Sequence, residues 1–235
     1  MKGLIALVGS GEYLPAMEDV DRYLLDSLHI NGRKPRVVCL PTAAGREGET
    51  SIHRWSEMGI AHFQKLGAEV CALRIVDRLS ANDPQWEPIL ENADLVYFSG
   101  GDPGYLYQTL NGSRAWSAMR KAWDRGAVYA GCSAGAMILA QRMPSFRLAG
   151  TQEGFGLLPF TFILPHFDTI PLIWKPLVFA LKRQLKKGEM MVGIDENTAF
   201  IGQLNGEWKV MGKGKVHLLT RHSETRYTND NSLLL

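Results

Sequence analysis

The sequence predicts an α/β fold in which a mostly parallel, doubly wound sheet carries helices on both faces. Short apolar runs typical of buried strands alternate with longer segments whose apolar residues recur at helical spacing. Several of these runs end in glycine-rich turns, and the alternation continues to about residue 141. Repeated strand–helix units of this kind form parallel sheets covered on both faces, with functional residues at the carboxyl ends of the strands.

The elements follow from the positions of these runs. Strands are predicted at residues 3–8, 36–40, 68–75, 94–98, 127–130, 146–150, 160–164, 190–194 and 198–204. Helices are predicted at residues 15–29, 49–66, 84–92, 104–110, 114–125, 134–141 and 171–187. Residues 206–220 are expected to form a C-terminal β-hairpin and residues 221–235 a polar tail. Without a linker or repeat, residues 1–235 are interpreted as a single domain.

Composition narrows the classes of function. Hydrophobic residues make up 46% and charged residues 21% of the chain, which is ordinary for a globular protein. The net charge of +2 gives no reason to expect a nucleic-acid partner. The apolar runs are shorter than the roughly 20 residues that cross a bilayer, so we expect no membrane association and a cytoplasmic location. A monomer and a homodimer both remain open.

No cofactor or metal is expected from the motifs. Gly9 and Gly11 begin a pattern like the dinucleotide fingerprint, but its third glycine position holds Leu14, which favours a close-packed strand–helix turn. Neither an H-E-x-x-H motif nor a C-x-x-C pair is present to suggest a zinc site. The cysteines are expected to be reduced, buried thiols: Cys39, Cys71 and Cys132.

The central motif is a nucleophile elbow at Ser133. This serine takes the third place of G-x-S-x-G, between Gly131 and Gly135, after a strand-like run and before a run of helix formers. At both glycines a Cβ would collide with the neighbouring strand or helix. Cys132 lies beside the serine, but neighbours on such a turn point in different directions, so both cannot be the nucleophile. The alternative interpretation is a Gly/Ala-rich turn that only packs a helix against the sheet.

A serine hydroxyl needs a base to take its proton, and the base needs an acid to hold its tautomer. His166 follows an apolar strand and Pro165, at the sheet end where the elbow serine should emerge. A structural histidine at a strand end is the alternative interpretation. The other histidines are expected on helices or at the C-terminal surface: His29, His53, His62, His217 and His222.

Three carboxylates are candidates for the acid. Glu196 ends another strand and ranks first, Asp168 shares a strand face with His166 and ranks second, and Glu153 lies between serine and histidine in the sequence. An oxyanion would also need two N–H donors. We expect these from the backbones of Ala134, which follows the serine, and Gly101, although a tight loop alone would also use glycine there.

Four segments together resemble one family, the serine peptidases that include dipeptidase E and cyanophycinase, whose fold is like that of class I glutamine amidotransferases. They are FSGGD at 98–102, GCSAGA at 131–136, PHF at 165–167 and GIDENTA at 193–199. The resemblance implies a serine hydrolase that cleaves a peptide or isopeptide bond next to an acidic residue, with a small peptide as substrate. It implies Ser133 as nucleophile and His166 as base, and the GIDE-like segment supports Glu196 as the acid.

The chain also departs from the family pattern. Cyanophycinase-like chains carry a glutamine before the histidine, whereas Pro165 is closer to the dipeptidase form. His166-Phe167-Asp168 resembles the H-x-E pair of amidotransferases, which keeps Asp168 as a candidate. Cations that could bind a substrate carboxylate lie near the expected loops: Arg46, Arg147 and Lys175.

Two rival functions remain open at this level. One is glutaminase-type amide transfer through Cys132, which its place before the elbow position disfavours. The other is a protein that keeps the scaffold and binds a small ligand without turnover.

Overall fold

The computed structural model describes residues 2–145 and 150–235. Its strands are β1 (Ile5–Val8), β2 (Arg36–Leu40), β3 (Glu69–Ala72), β4 (Leu95–Phe98), β5 (Val128–Cys132), β6 (Arg142–Ser145), β7 (Gly150–Glu153), β8 (Phe162–Leu164), β9 (Met191–Ile194), β10 (Thr198–Gly202), β11 (Glu207–Gly212), β12 (Val216–Leu219), β13 (Glu224–Tyr227) and β14 (Ser232–Leu234). Its α-helices are α1 (Glu18–Asp26), α2 (Glu49–Lys65), α3 (Glu87–Glu91), α4 (Pro103–Leu110), α5 (Arg114–Arg125), α6 (Ala134–Met137) and α7 (Lys175–Gln184).

The large sheet has eight strands in the order β14-β11-β10-β1-β5-β4-β2-β3. The five strands from β1 to β3 in this order run parallel, and β10, β11 and β14 extend the sheet with antiparallel pairing. A second sheet has the order β13-β12-β9-β8, with β8 and β9 parallel, and β6 pairs with β7. The predicted fold class, a mostly parallel α/β sheet, is confirmed.

Alternation along β1 shows how the sheet is covered on both faces. Ile5 and Leu7 point into one apolar core, whereas Ala6 and Val8 point into another. Apolar side chains of α3, α4, α5 and α6 fill the first core, and those of α1 and α2 contribute to the second. Because both faces of the strand are dry, its sequence is continuously apolar rather than alternating.

Helix ends next to the site are set by local capping. The Asp102 side chain accepts a hydrogen bond from the backbone N–H of Tyr105 at 3.0 Å, with Pro103 in the first turn of α4. Ser113 caps α5 in the same way, and Gly126 ends that helix in the left-handed conformation. The Asp102 cap adjoins the loop that follows β4, which carries the glycines at positions 100 and 101.

The C-terminal region differs from expectation in its boundaries. A C-terminal hairpin is present, but β12 and β13 form it, whereas β11 and β12 lie in different sheets. The short connection between those sheets begins at Gly212, which has φ +115°. The residue must be glycine because a Cβ there would lie 2.3 Å from the carbonyl oxygen of Asn197. The predicted polar tail at 221–235 contains β13 and β14, each paired with an ordered neighbour.

Other boundaries are also adjusted. The helix predicted at 134–141 is confined to α6 because the chain turns into β6, and the helix predicted at 171–187 begins as an α-helix only at Lys175. Of the strand predicted at 146–150, residues 146–149 lie outside the described residues and Gly150 begins β7. Within the described ranges, no helix combines the length and apolarity that crossing a bilayer requires.

Candidate active site

The elbow has the sharp geometry that its sequence predicts. Ser133 adopts φ 49° and ψ −104°, between the end of β5 and the start of α6. A Cβ on Gly131 would lie 2.5 Å from backbone atoms of Gly135, and one on Gly135 would lie 2.8 Å from the Cβ of Phe98. Both glycines are therefore required by close packing, and the strained turn exposes the serine at the carboxyl end of the sheet.

His166 and Glu196 reach this serine from the smaller sheet. They follow β8 and β9, which are parallel neighbours, so both residues emerge at the same edge. The His166 Nε2 lies 3.1 Å from Ser133 Oγ, and its Nδ1 lies 3.0 Å from Glu196 Oε1. The structure thus brings the three predicted residues into one chain of hydrogen bonds.

The other two candidate acids lie elsewhere. Asp168 Oδ1 accepts a hydrogen bond from the backbone N–H of Glu196 at 2.9 Å, so it holds the turn that carries Glu196. Glu153, in β7, lies near Tyr107, whose pKa is raised first by burial and then by the charge of this carboxylate. In the described part of the chain, the carboxylate partner of the His166 ring is Glu196.

The first strand supports the same turn. A Cβ on Gly9 would lie 2.1 Å from the carbonyl oxygen of Asp195, and Gly11, at φ +84°, lies against the Asn197 side chain. The glycines after β1 therefore allow its loop to approach the turn that carries Glu196. This close approach accounts for the glycine pair that resembles a dinucleotide fingerprint.

Two backbone N–H groups are available next to Ser133. Gly101, at φ +144°, lies so close to Ala43 that a Cβ would sit 2.5 Å from its backbone. Ala134 is the first residue of α6. Across residues 2–145 and 150–235, no acceptor is hydrogen-bonded to either N–H, so both are free to meet an oxyanion.

Glu12 is a buried residue that sequence reasoning missed. Its Oε1 accepts from the Gly100 N–H at 2.8 Å, and its Oε2 accepts from the Cys132 thiol at 2.8 Å. One carboxylate thereby joins the loops after β1 and β4 to the end of β5. The sequence signal for this residue is an acid directly after Gly-Ser-Gly at a strand end.

The surroundings of Cys132 do not favour the amide-transfer alternative. Burial, followed by the charge of Glu12, raises the pKa of this thiol well above its usual range. The reactive form of a cysteine is the thiolate, which such a site disfavours. Cys132 is fully buried, one residue before the half-buried Ser133.

His217 was expected at the surface and is instead buried. Its Nε2 lies 3.0 Å from Asp195 Oδ1 and its Nδ1 3.0 Å from Glu224 Oε1. The ring also packs on Phe167, with centroids 4.6 Å apart, directly beneath the segment that carries His166. Through this contact with Phe167, His217 packs against the turn that carries His166. His222 is exposed, as expected.

Two cavities meet at Gly101 and Pro103. One, of about 450 Å³, contains Ser133 and His166, and the other, of about 520 Å³, contains Arg46. Lys175 lines a third cavity and neither of these two, and Arg147 lies outside the described residues.

Comparison with known proteins identifies the family. The model of peptidase family S51 matches residues 4–204. The chain belongs to peptidase family S51. Cyanophycinase from Synechococcus elongatus is 28% identical over 97% of this chain and 71% of its own length. The uncharacterized peptidase YgaJ of Bacillus subtilis is 28% identical over 72% of this chain and 70% of its own.

Solved structures agree with this assignment. A peptidase from an acI-B1 Actinobacterium superposes with a TM-score of 0.90 at 37% identity, covering 100% of this chain and 98% of that one. A putative peptidase E protein from Listeria monocytogenes superposes with a TM-score of 0.62 at 22% identity, covering 91% and 98%, and shows likeness of fold alone. The S51 protein is a serine-type peptidase.

Proposed function

We propose that this S51 protein is a peptidase of the dipeptidase E type that cleaves a small peptide next to an acidic residue through Ser133, His166 and Glu196. The hydrogen-bonded chain from Ser133 Oγ through the imidazole to the Glu196 carboxylate is the observation that carries the proposal. It supplies each group that serine catalysis needs: a nucleophile, a base within reach, and an acid that fixes the tautomer of the base.

The steps follow from this geometry. Ser133 Oγ attacks the scissile carbonyl while His166 Nε2 takes its proton, and Glu196 stabilises the imidazolium that forms. The carbonyl oxygen, now negative, accepts from the N–H groups of Gly101 and Ala134. The C–N bond then breaks as His166 returns the proton to the leaving amine. Water, activated by the same imidazole, releases the acyl group from the serine.

Arg46 supports the preference for an acidic residue. It lines the cavity that adjoins the serine site at Gly101 and lies over the ring of Tyr105, 4.4 Å from the centroid. In the part of the chain that the structure describes, it forms no ion pair with a carboxylate. A guanidinium held against an aromatic face and left without an acid can receive a substrate carboxylate.

Hydrolysis of matched dipeptides tests the proposal. Wild type should cleave Asp-Leu faster than Asn-Leu, and Ser133→Ala should cleave neither. Arg46→Gln should raise KM for Asp-Leu with little change for Asn-Leu, because only the first substrate presents a side-chain carboxylate. Equal cleavage of both peptides by wild type would remove the acidic preference, and activity retained by Ser133→Ala would remove the mechanism.

A further inference from the structure

The cavity that contains Ser133 and His166 has an apolar wall. Five large apolar side chains line it: Met137, Leu164, Ile170, Trp174 and Val178. They come from α6, the end of β8, the segment after His166 and α7. Two different helices and the smaller sheet therefore shape one cavity of about 450 Å³, within the usual range of small-molecule sites.

The chemistry of this cavity differs from that of its neighbour. Among the described residues that line it, His166 is the sole side chain able to carry a charge. The adjoining cavity contains Arg46, Asp102, Gln108 and Gln152, which are charged or polar. Gly101 belongs to both, and it offers an N–H where the scissile carbonyl would lie. A peptide bond placed at Ser133 thus has polar surroundings on one side and apolar surroundings on the other.

We propose that the cavity lined by Met137, Leu164, Ile170, Trp174 and Val178 is a specificity subsite for an apolar side chain of the substrate, on the opposite side of the scissile bond from the acidic residue. The inference rests on the proposed function, which supplies the scissile bond at Ser133. For an aspartyl dipeptide, the residue selected is the C-terminal one, which leaves as the free amine.

The physical basis is the cost of desolvation. A leucine side chain leaves water for an apolar wall, which is favourable in proportion to the area buried. An asparagine of similar shape would bring its amide into surroundings with few partners, and a lysine would bring a charge. Sites of this kind discriminate by about 10- to 100-fold between side chains of similar size.

Dipeptide amides isolate the effect of the C-terminal side chain, because they lack the charged α-carboxylate of that residue. We expect kcat/KM for Asp-Leu-amide to exceed that for Asp-Asn-amide by about 10- to 100-fold, with Asp-Lys-amide lower still. A Leu to Asn ratio within about threefold, or a preference for Asn, would overturn the subsite. If cleavage is also abolished in Ser133→Ala, the serine mechanism is upheld whatever the Leu to Asn ratio is. Failure of the subsite and failure of the proposed function are therefore distinguishable.

Variants on α7 provide a matched pair. Val178→Asp places a carboxylate in the subsite and should lower the rate with Asp-Leu-amide while raising the rate with Asp-Lys-amide, an inversion that misfolding does not produce. Phe179→Asp adds the same charge to the next residue, which is 59% exposed and does not line this cavity, and should leave the ratio unchanged. Equal effects of the two variants would refute the assignment.

Covalent labelling covers the case in which no peptide amide is cleaved. An alkyl fluorophosphonate should label Ser133 at least tenfold faster than an analogue with a terminal carboxylate, and Val178→Asp should slow the alkyl probe. Equal rates would refute the subsite. Failure of every probe and peptide to react at Ser133 would refute both the proposed function and the subsite that rests on it.

Discussion

Replacing Glu196 by glutamine tests the acid of the proposed triad. The carboxylate and the imidazole are 3.0 Å apart, and their side chains are 37% and 42% exposed. Two unit charges at about 4 Å interact by about 1 kcal/mol in water and about 4 kcal/mol near a protein surface. At about 1.4 kcal/mol for each factor of ten, losing this stabilisation of the imidazolium should lower kcat by roughly 5- to 1,000-fold.

Asp168→Asn is the matched control for Glu196→Gln. The amide oxygen of asparagine can still accept from the Glu196 N–H, so this variant should keep kcat within about threefold of wild type. Initial rates with Asp-Leu under saturating substrate, alongside thermal unfolding of each variant, measure both effects. If Asp168→Asn lost about 100-fold and Glu196→Gln kept most of its activity, the assignment of the acid would be refuted.

Three further changes test the surroundings of the site. Glu12→Ala removes the acceptor of the Gly100 N–H and should lower kcat by about 10- to 100-fold with little change in KM, whereas Glu12→Gln keeps an acceptor and most of the activity. Gly131→Ala should destabilise the fold by about 1–3 kcal/mol or more in urea unfolding, because its Cβ meets helix backbone. Although burial acts to raise the pKa of Asp94, its hydrogen bonds and ion pair with Arg33 outweigh this and lower it. Asp94→Asn should therefore cost about 1–2 kcal/mol at pH 7. The difference should begin to shrink as pH falls through about 4, where the unfolded carboxylate is protonated, and it should disappear only below the lowered pKa of the folded carboxylate.

Each of these has an outcome that would contradict it. Equal loss in the alanine and glutamine variants of Glu12 would mean that its charge, and not its acceptor, matters. A Gly131→Ala protein as stable as wild type would show that the elbow relaxes easily. A stability difference for Asp94→Asn that does not begin to shrink as pH falls below about 4 would mean that the carboxylate is not the source of the effect.

Local sequence patterns were sufficient to predict the strands of the parallel half of the fold. The runs that became β1, β2, β4 and β5 are buried on both faces, so their apolar letters alone mark them as strands. The elbow at Ser133 was predicted from its motif, in which Gly131 is required by a contact with nearby Gly135, although Gly135 itself packs on Phe98 of the neighbouring strand β4. Where packing is local, sequence spacing carries the information.

The C-terminal half depends on long-range pairing, which spacing does not reveal. β11 and β12 follow each other with only a short connection, yet one pairs with β10 and the other with β9. The partners of β13 and β14 likewise decide that residues 221–235 are ordered. Propensity at these positions gives no information about which sheet a strand joins.

The polar groups around the site show the same division. The sequence placed His166 and Glu196 at the ends of apolar strands as the first candidates for base and acid, although their meeting depends on the pairing of β8 with β9. The burial of Glu12 and His217 was not predicted. Gly100 and Cys132, the partners of Glu12, are distant in sequence, and His217 is held between Asp195 on another strand and Glu224 of the same hairpin. A charged residue in a turn is usually solvated, and only tertiary contacts overrule that expectation.

Mapping the site of fluorophosphonate attachment by mass spectrometry tests the central claim most directly. The account predicts one adduct on Ser133, absent in Ser133→Ala, formed far more slowly in His166→Ala and formed normally in Cys132→Ala. An adduct on another residue, or labelling of Ser133 that does not depend on His166, would contradict the mechanism.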